Sequence, residues 1–237
     1  MKPLESSLRG QTVVVIGGSS GIGAAVASGA AARGARVYAV GRRSDAGGAG
    51  DIRQASADIT DDASLRQLFE RIGAFDHLVI TAGPNVSAKP LADSDLLHAQ
   101  QAFDVKFWGA VRSIRQALPY LSERGSITLT SGLLSRKFVA GQFIKTTLNA
   151  ALEALAKQLA KELAPRRVNV VSPGVTETEA YAGMDDSQRA AMFARTSAAL
   201  PVGRIGTPQD LAAAFMLAME NGFISGSIID VDGGGLL

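Results

Sequence analysis

Thr12-Val13-Val14-Val15-Ile16-Gly17-Gly18-Ser19-Ser20-Gly21-Ile22-Gly23 is a β-branched apolar run that breaks into a glycine turn. An Ala-rich segment over 24–33 comes next and reads as a helix. Strand, turn and helix in that order are the context in which spaced glycines carry meaning. Glycine at 17, 21 and 23 lets the backbone turn sharply and approach a ligand without an intervening Cβ. The helix directs its free N–H groups and the positive end of its dipole at the turn, an arrangement that suits a pyrophosphate. Gly17, Ser19, Ser20, Gly21, Ile22 and Gly23 are therefore candidate phosphate-cradling residues. Taken alone, the same glycines also suit an ordinary tight turn.

Outward from that turn, apolar and amphipathic segments alternate to the end of the chain. The 237 residues suffice for one large core, and neither a linker nor a repeat divides them, so a single domain over 1–237 is expected. The longest apolar runs fall short of the ~20 residues of a membrane helix. Residues 1–10 mix Lys2, Glu5 and Arg9 with polar side chains and do not resemble a secretory signal. A net charge of +2, scattered along the chain, argues against a nucleic-acid partner. The chain has no cysteine, and its two histidines, His77 and His98, lie far apart. Neither thiol chemistry nor a metal site is expected, and a cytoplasmic protein is the default.

The second strand, 35–40, runs out at Gly41-Arg42-Arg43. An acidic residue at this strand end would bind ribose hydroxyls in a dinucleotide fold, whereas arginines suit a 2′-phosphate. Arg42 and Arg43 are candidates for that role, with a solvated basic loop as the alternative. Residues 44–50 are Gly/Ala-rich and too few for a crossover helix. Strand three falls near 54–57, with Asp58 and Ile59 at its end, where an adenine ring can rest. Thr60 then reads as the cap of a helix carrying Leu65, Leu68, Phe69 and Ile72.

Strand four, 76–81, ends at Ala82-Gly83, small residues that permit close approach of a ligand. The segment 93–118 is mostly helical, with Phe103, Phe107, Val111, Ile114 and Leu118 as its apolar face and Lys106 on another. Strand five, 126–131, carries Ser131 at its tip. A helix over about 143–163 has a leucine stripe and an otherwise small, Ala-rich surface. That surface predicts burial against a second copy of the chain in a dimer or tetramer. Strand six, 168–171, closes at Ser172-Pro173-Gly174. Residues 176–200 read as a lid with a short helix and include Tyr181. Thr207-Pro208-Gln209-Asp210 opens a further helix. The last strand is 227–231. Seven strands alternating with helices predict a doubly wound parallel sheet with ligands at the strand C-terminal ends.

Together these motifs resemble those of the short-chain dehydrogenase/reductase family over nearly the whole chain. The glycine turn is similar to that family's TGxxxGxG, with Ile16 in place of the threonine. Thr81-Ala82-Gly83 resembles its NNAG, residues 169–178 its N-x-V-x-P-G-x-x-x-T, and Asp232-Gly233-Gly234 its C-terminal signature. The resemblance implies a Rossmann fold of strand order 3-2-1-4-5-6-7, a nicotinamide cofactor and often a tetramer. With the arginines, the cofactor is NADP(H), contacted by the glycine turn, Arg42, Arg43, Asp58, Ile59, Ala82, Gly83, Asn149, Pro173, Gly174 and Thr176.

The family's catalytic set carries over in altered form. Ser131 matches the serine that holds the substrate oxygen. The lysine position of the family's YxxxK is Asn149. The tyrosine position is Lys145, with Ile144 as the alternative register, and Lys106 stands where the family has a helix asparagine. Lysine and asparagine are exchanged, and the phenol is gone. Lys145 and Asn149 lie four apart and share a helix face. Carbonyl reduction needs a proton for the developing alkoxide, and Lys145 or Lys106 is its expected donor, with Tyr181 a substrate contact or an alternative donor, while Asn149 holds the nicotinamide ribose. Two functions are compatible with these residues: an NADPH-dependent reductase of a small carbonyl or quinone compound with a non-standard site, or a nucleotide-binding protein without turnover.

Overall fold

The computed structural model describes residues 7–42, 50–84 and 86–237. Seven parallel strands form one sheet in the order β3-β2-β1-β4-β5-β6-β7. They are β1 (Thr12–Ile16), β2 (Arg36–Gly41), β3 (Ile52–Ser56), β4 (Phe75–Ile80), β5 (Leu121–Thr130), β6 (Arg167–Pro173) and β7 (Ile228–Val231). Helices α1 (Gly21–Ala32) and α7 (Pro208–Glu220) cover one face of the sheet. Helices α2 (Asp62–Ile72), α3 (Leu96–Phe103), α4 (Gly109–Ala117) and α5 (Phe143–Glu162) cover the other. Every residue of β1 is buried, as expected of a central parallel strand covered on both faces. The order reverses between β1 and β4, which opens a crevice at their C-terminal ends.

Several expected details are corrected. Asp61, not Thr60, caps α2: its carboxylate accepts from Ala63 N, while Thr60 is turned back onto Asp58 Oδ1. A carboxylate one residue nearer the helix reaches its first free N–H groups better. Strand β5 begins at Leu121, five residues before the expected start, and Ser131 lies just past its end. The helix expected over 93–118 is interrupted by a π-turn at Asp104–Trp108. The extra residue in that turn shifts the helical phase of α4. The buried stripe of α4 is thus Ala110, Ser113, Ile114 and Ala117, with Phe103, Phe107 and Leu118 only partly covered. Segment 176–200 holds a short turn at Glu179–Tyr181 and α6 (Asp186–Ala199), a longer helix than expected. Tyr181 packs edge-on against Phe193 within it, their ring centroids 5.3 Å apart. Arg43 and most of the loop expected at 44–50 lie outside the described residues. No helix among the described residues is long and apolar enough to cross a membrane.

Candidate active site

The glycine turn leaves no room for side chains. A Cβ on Gly17 would lie 2.6 Å from Ala82 N, and one on Gly23 would lie 2.0 Å from the Gly17 carbonyl. Gly17 also has φ of +89°, a region costing an L-residue roughly 1–2 kcal/mol. Thr81 Oγ1 donates toward the carbonyls of Ile16 and Gly17 and pins the tip of β4 to the turn. At the start of α1, Ser20 makes no side-chain cap bond and the first turn has no acidic residue. Helices α2, α3, α6 and α7 are each capped by a side chain, Asp61, Asp95, Asp185 and Thr207 respectively. Bare helix N–H groups behind a glycine cradle fit a pyrophosphate. Ser19 and Ser20 are exposed there. From the segment after β6, Glu179 stands against the turn: its Oε2 is 3.2 Å from where a Gly21 Cβ would be.

Arg42 is exposed just beyond β2 and faces Asp58 closely enough to lower the Asp58 pKa. The larger cause of that shift is the pair of hydrogen bonds from Thr60. Ile59 differs from expectation: its side chain is buried in the core against Gly109, so only its backbone is available to a ligand. Ala82 and Gly83 lie at the β4 tip, with the aliphatic stem of Lys106 beside Gly83. Thr176 is buried, its hydroxyl turned back to the Gly174 carbonyl, and it lies past the β6 end that closes with Pro173.

The fold brings Lys106 and Asn149 together. Lys106 sits in the π-turn, a feature often found at functional sites. Its Nζ donates to Asn149 Oδ1 at 2.7 Å and to the Ser131 carbonyl at 3.2 Å. Burial, and secondarily the charge of Lys145, push the Lys106 pKa down to about 8. Burial also lowers the Lys145 pKa. On α5, Ile144 is in the core, and Lys145 is half-buried near Lys106. Among the described residues Lys145 Nζ has no hydrogen-bond acceptor, so its ammonium is open to a ligand.

Sequence reasoning missed one residue. Glu153, buried on α5, accepts from Ser131 Oγ at 2.9 Å and from Ser135 Oγ at 2.6 Å, both through Oε1. Its other oxygen is 3.5 Å from Arg136 Nε, and Arg136 in turn pairs with Asp230 on β7. The signal was spacing: residues 145, 149 and 153 recur every four and share one face of the helix. His77 lies at the opposite end of the sheet, buried between Ser126 and Gln11 and away from this site.

Comparison with known proteins supplies the decisive observation. A family model described as enoyl-(acyl carrier protein) reductase matches residues 16–235. The short-chain dehydrogenase/reductase ATR9 of Stachybotrys chlorohalonatus is 32% identical over 98% of this chain and 99% of its own. The chain belongs to the short-chain dehydrogenase/reductase family. Carbonyl reductase family member 4 of Danio rerio is 33% identical over 93% of this chain and 96% of its own length. Among solved structures, a small-chain dehydrogenase in complex with NADPH is 46% identical, with a TM-score of 0.86, over 95% of this chain and 98% of that one. The expected strand order of the family is the order observed.

Proposed function

We propose that this chain is an NADPH-dependent reductase of a small carbonyl or quinone compound, with Lys145 as proton donor. The observation that carries this reading is the open ammonium of Lys145, on one helix face with Asn149 and close to Lys106, which itself bonds Asn149 and the Ser131 carbonyl. NADPH, when bound, supplies the hydride. The glycine turn holds its pyrophosphate, and Arg42, with Arg43, pairs with its 2′-phosphate. Asp58 and the Ile59 backbone border the adenine, while Ala82, Gly83, Pro173, Gly174 and Thr176 line the nicotinamide half.

The chain's own residues then divide the work. Lys106 spends two of its three N–H donors on Asn149 and the Ser131 carbonyl, so it orients Asn149 toward the ribose. Lys145 donates a proton to the substrate oxygen as negative charge develops there, and burial eases that donation by lowering its pKa. Ser131 contacts that oxygen once it carries the proton. Residues 176–200 form a lid that excludes water. The exposed side of α5, with Ala150 and Ala154, supports self-association.

A panel of cyclohexanone, benzaldehyde and benzoquinone with NADPH tests the reading. Turnover that Ser131→Ala and Lys145→Met each abolish is expected. Consumption no faster than that of Ser131→Ala would favour a nucleotide-binding protein without turnover. Light scattering at micromolar concentration tests the dimer or tetramer.

A further inference from the structure

The hydroxyl of Ser131 has one proton to give, and the structure gives it one acceptor, Glu153 Oε1 at 2.9 Å. Glu153 is buried, and its Oε2 faces the Arg136 guanidinium at 3.5 Å, so the oxygen that does not receive Ser131 is held by a cation. It also receives Ser135 Oγ at 2.6 Å, which fixes the carboxylate from a second side. Arg136 is itself anchored by Asp230 and by Ser172 Oγ at 3.1 Å. The chain of contacts from β7 to the tip of β5 therefore fixes the direction in which Ser131 donates. Toward the site, Ser131 presents only lone pairs.

We infer that Glu153 is a positioning residue that makes Ser131 a hydrogen-bond acceptor toward the substrate, so that Ser131 binds the hydroxyl form of the substrate. This rests on the reductase reading. A carbonyl oxygen has no proton to give an acceptor, so the ketone or aldehyde is held by Lys145. The alcohol formed from it has an O–H, and that O–H is what Ser131 receives. Substitution of Glu153 by glutamine inverts the polarity. With the amide oxygen toward Arg136, the amide N–H groups point at both serines, and the Ser131 proton is released into the site.

Two measurements test this. Neutron diffraction on deuterated crystals of the wild-type chain is expected to place the Ser131 deuteron between Oγ and Glu153 Oε1. A deuteron pointing into the site would overturn the inference. In Glu153→Gln, the KM of the panel carbonyl that turns over is expected to fall and that of its own alcohol to rise, each by about tenfold, the scale of one hydrogen bond. A merely structural role would impair both substrates alike, and an unchanged KM ratio in a folded variant would also overturn the inference. Ser135→Ala, which keeps the Ser131–Glu153 contact, is expected to leave the ratio unchanged. If Glu153→Gln does not fold, the wild-type neutron map decides alone. If no panel compound turns over, the reductase reading fails, while the deuteron position still decides the role of Glu153.

Discussion

Lys106 and Asn149 stand on different helices and touch, Nζ to Oδ1 at 2.7 Å. We read the two residue types as exchanged relative to the family motifs, and the contact would let both changes be tolerated together. An ammonium and an amide can exchange ends of one hydrogen bond and leave the charge in the same small volume. A double-mutant cycle tests this. Asn149→Lys alone brings a third cation beside Lys106 and Lys145 and is expected to destabilise the fold by about 3 kcal/mol, the scale of an uncompensated buried charge. The double variant Lys106→Asn/Asn149→Lys is expected to recover most of that loss. Chemical denaturation of all four proteins measures the coupling, and strict additivity would contradict the pairing.

The pH dependence of reduction separates the two lysines. A donor must be protonated, so the rate falls as pH rises through its pKa. Lys145 has a pKa below the ordinary lysine value of 10.5. Burial alone lowers that pKa, so Lys106→Met is expected to leave the alkaline limb of kcat/KM in place. If Lys106 were the donor, the same variant would abolish the limb and the activity.

Arg42 is exposed just past the tip of β2, and we propose it as the partner of the 2′-phosphate. Arg42→Ala is expected to weaken NADPH binding about tenfold and to leave NADH nearly unchanged, since only one cofactor carries the phosphate. Fluorescence titration with both cofactors reads the ratio. Equal weakening of both would remove Arg42 from the phosphate site.

Glu179 holds a carboxylate against the glycine turn at Gly21. That charge opposes a pyrophosphate at the same place. Glu179→Gln is expected to tighten NADPH binding several-fold at low salt, with the gain shrinking as salt screens the repulsion. No change at any ionic strength would mean that the carboxylate swings clear.

His77 contributes to acid stability. Burial pushes its pKa down from 6.5 to about 4, so the folded chain prefers the neutral ring. Between those values the unfolded chain binds more protons. The stability tied to neutral His77 is thus complete above about pH 6.5 and declines as pH falls toward 4. The loss amounts to about 3 kcal/mol. His77→Gln is expected to flatten the denaturation midpoint across that window; an unaltered acid slope would show that other groups set it.

Much of the fold was legible because it is written locally. The glycine turn needs its residue types within a few positions of each other, and strand–helix alternation announces a doubly wound sheet. The capping box of α7, Thr207 with Asp210, lies within four residues and forms as expected. The cap of α2 was misplaced by one residue because Thr60 and Asp61 are both good caps, and only the turn at Asp58 decides between them. The π-turn at 104–108 escaped notice because its one-residue shift leaves no mark in a hydrophobic pattern that tolerates half-buried phenylalanines.

The sequence by itself determined the strand-turn-helix cradle and the doubly wound class, since these depend on neighbours along the chain. Only the tertiary structure decided what Lys106, Asn149 and Ser131 touch. Lys106 meets Asn149 across 43 residues of chain, and Ser131 meets Glu153 across 22. The reason is physical: a buried charge takes its partner from whichever elements the sheet order packs beside it. That packing, not the local chain, sets the burial that lowers the lysine pKa values and the direction in which Ser131 gives its proton.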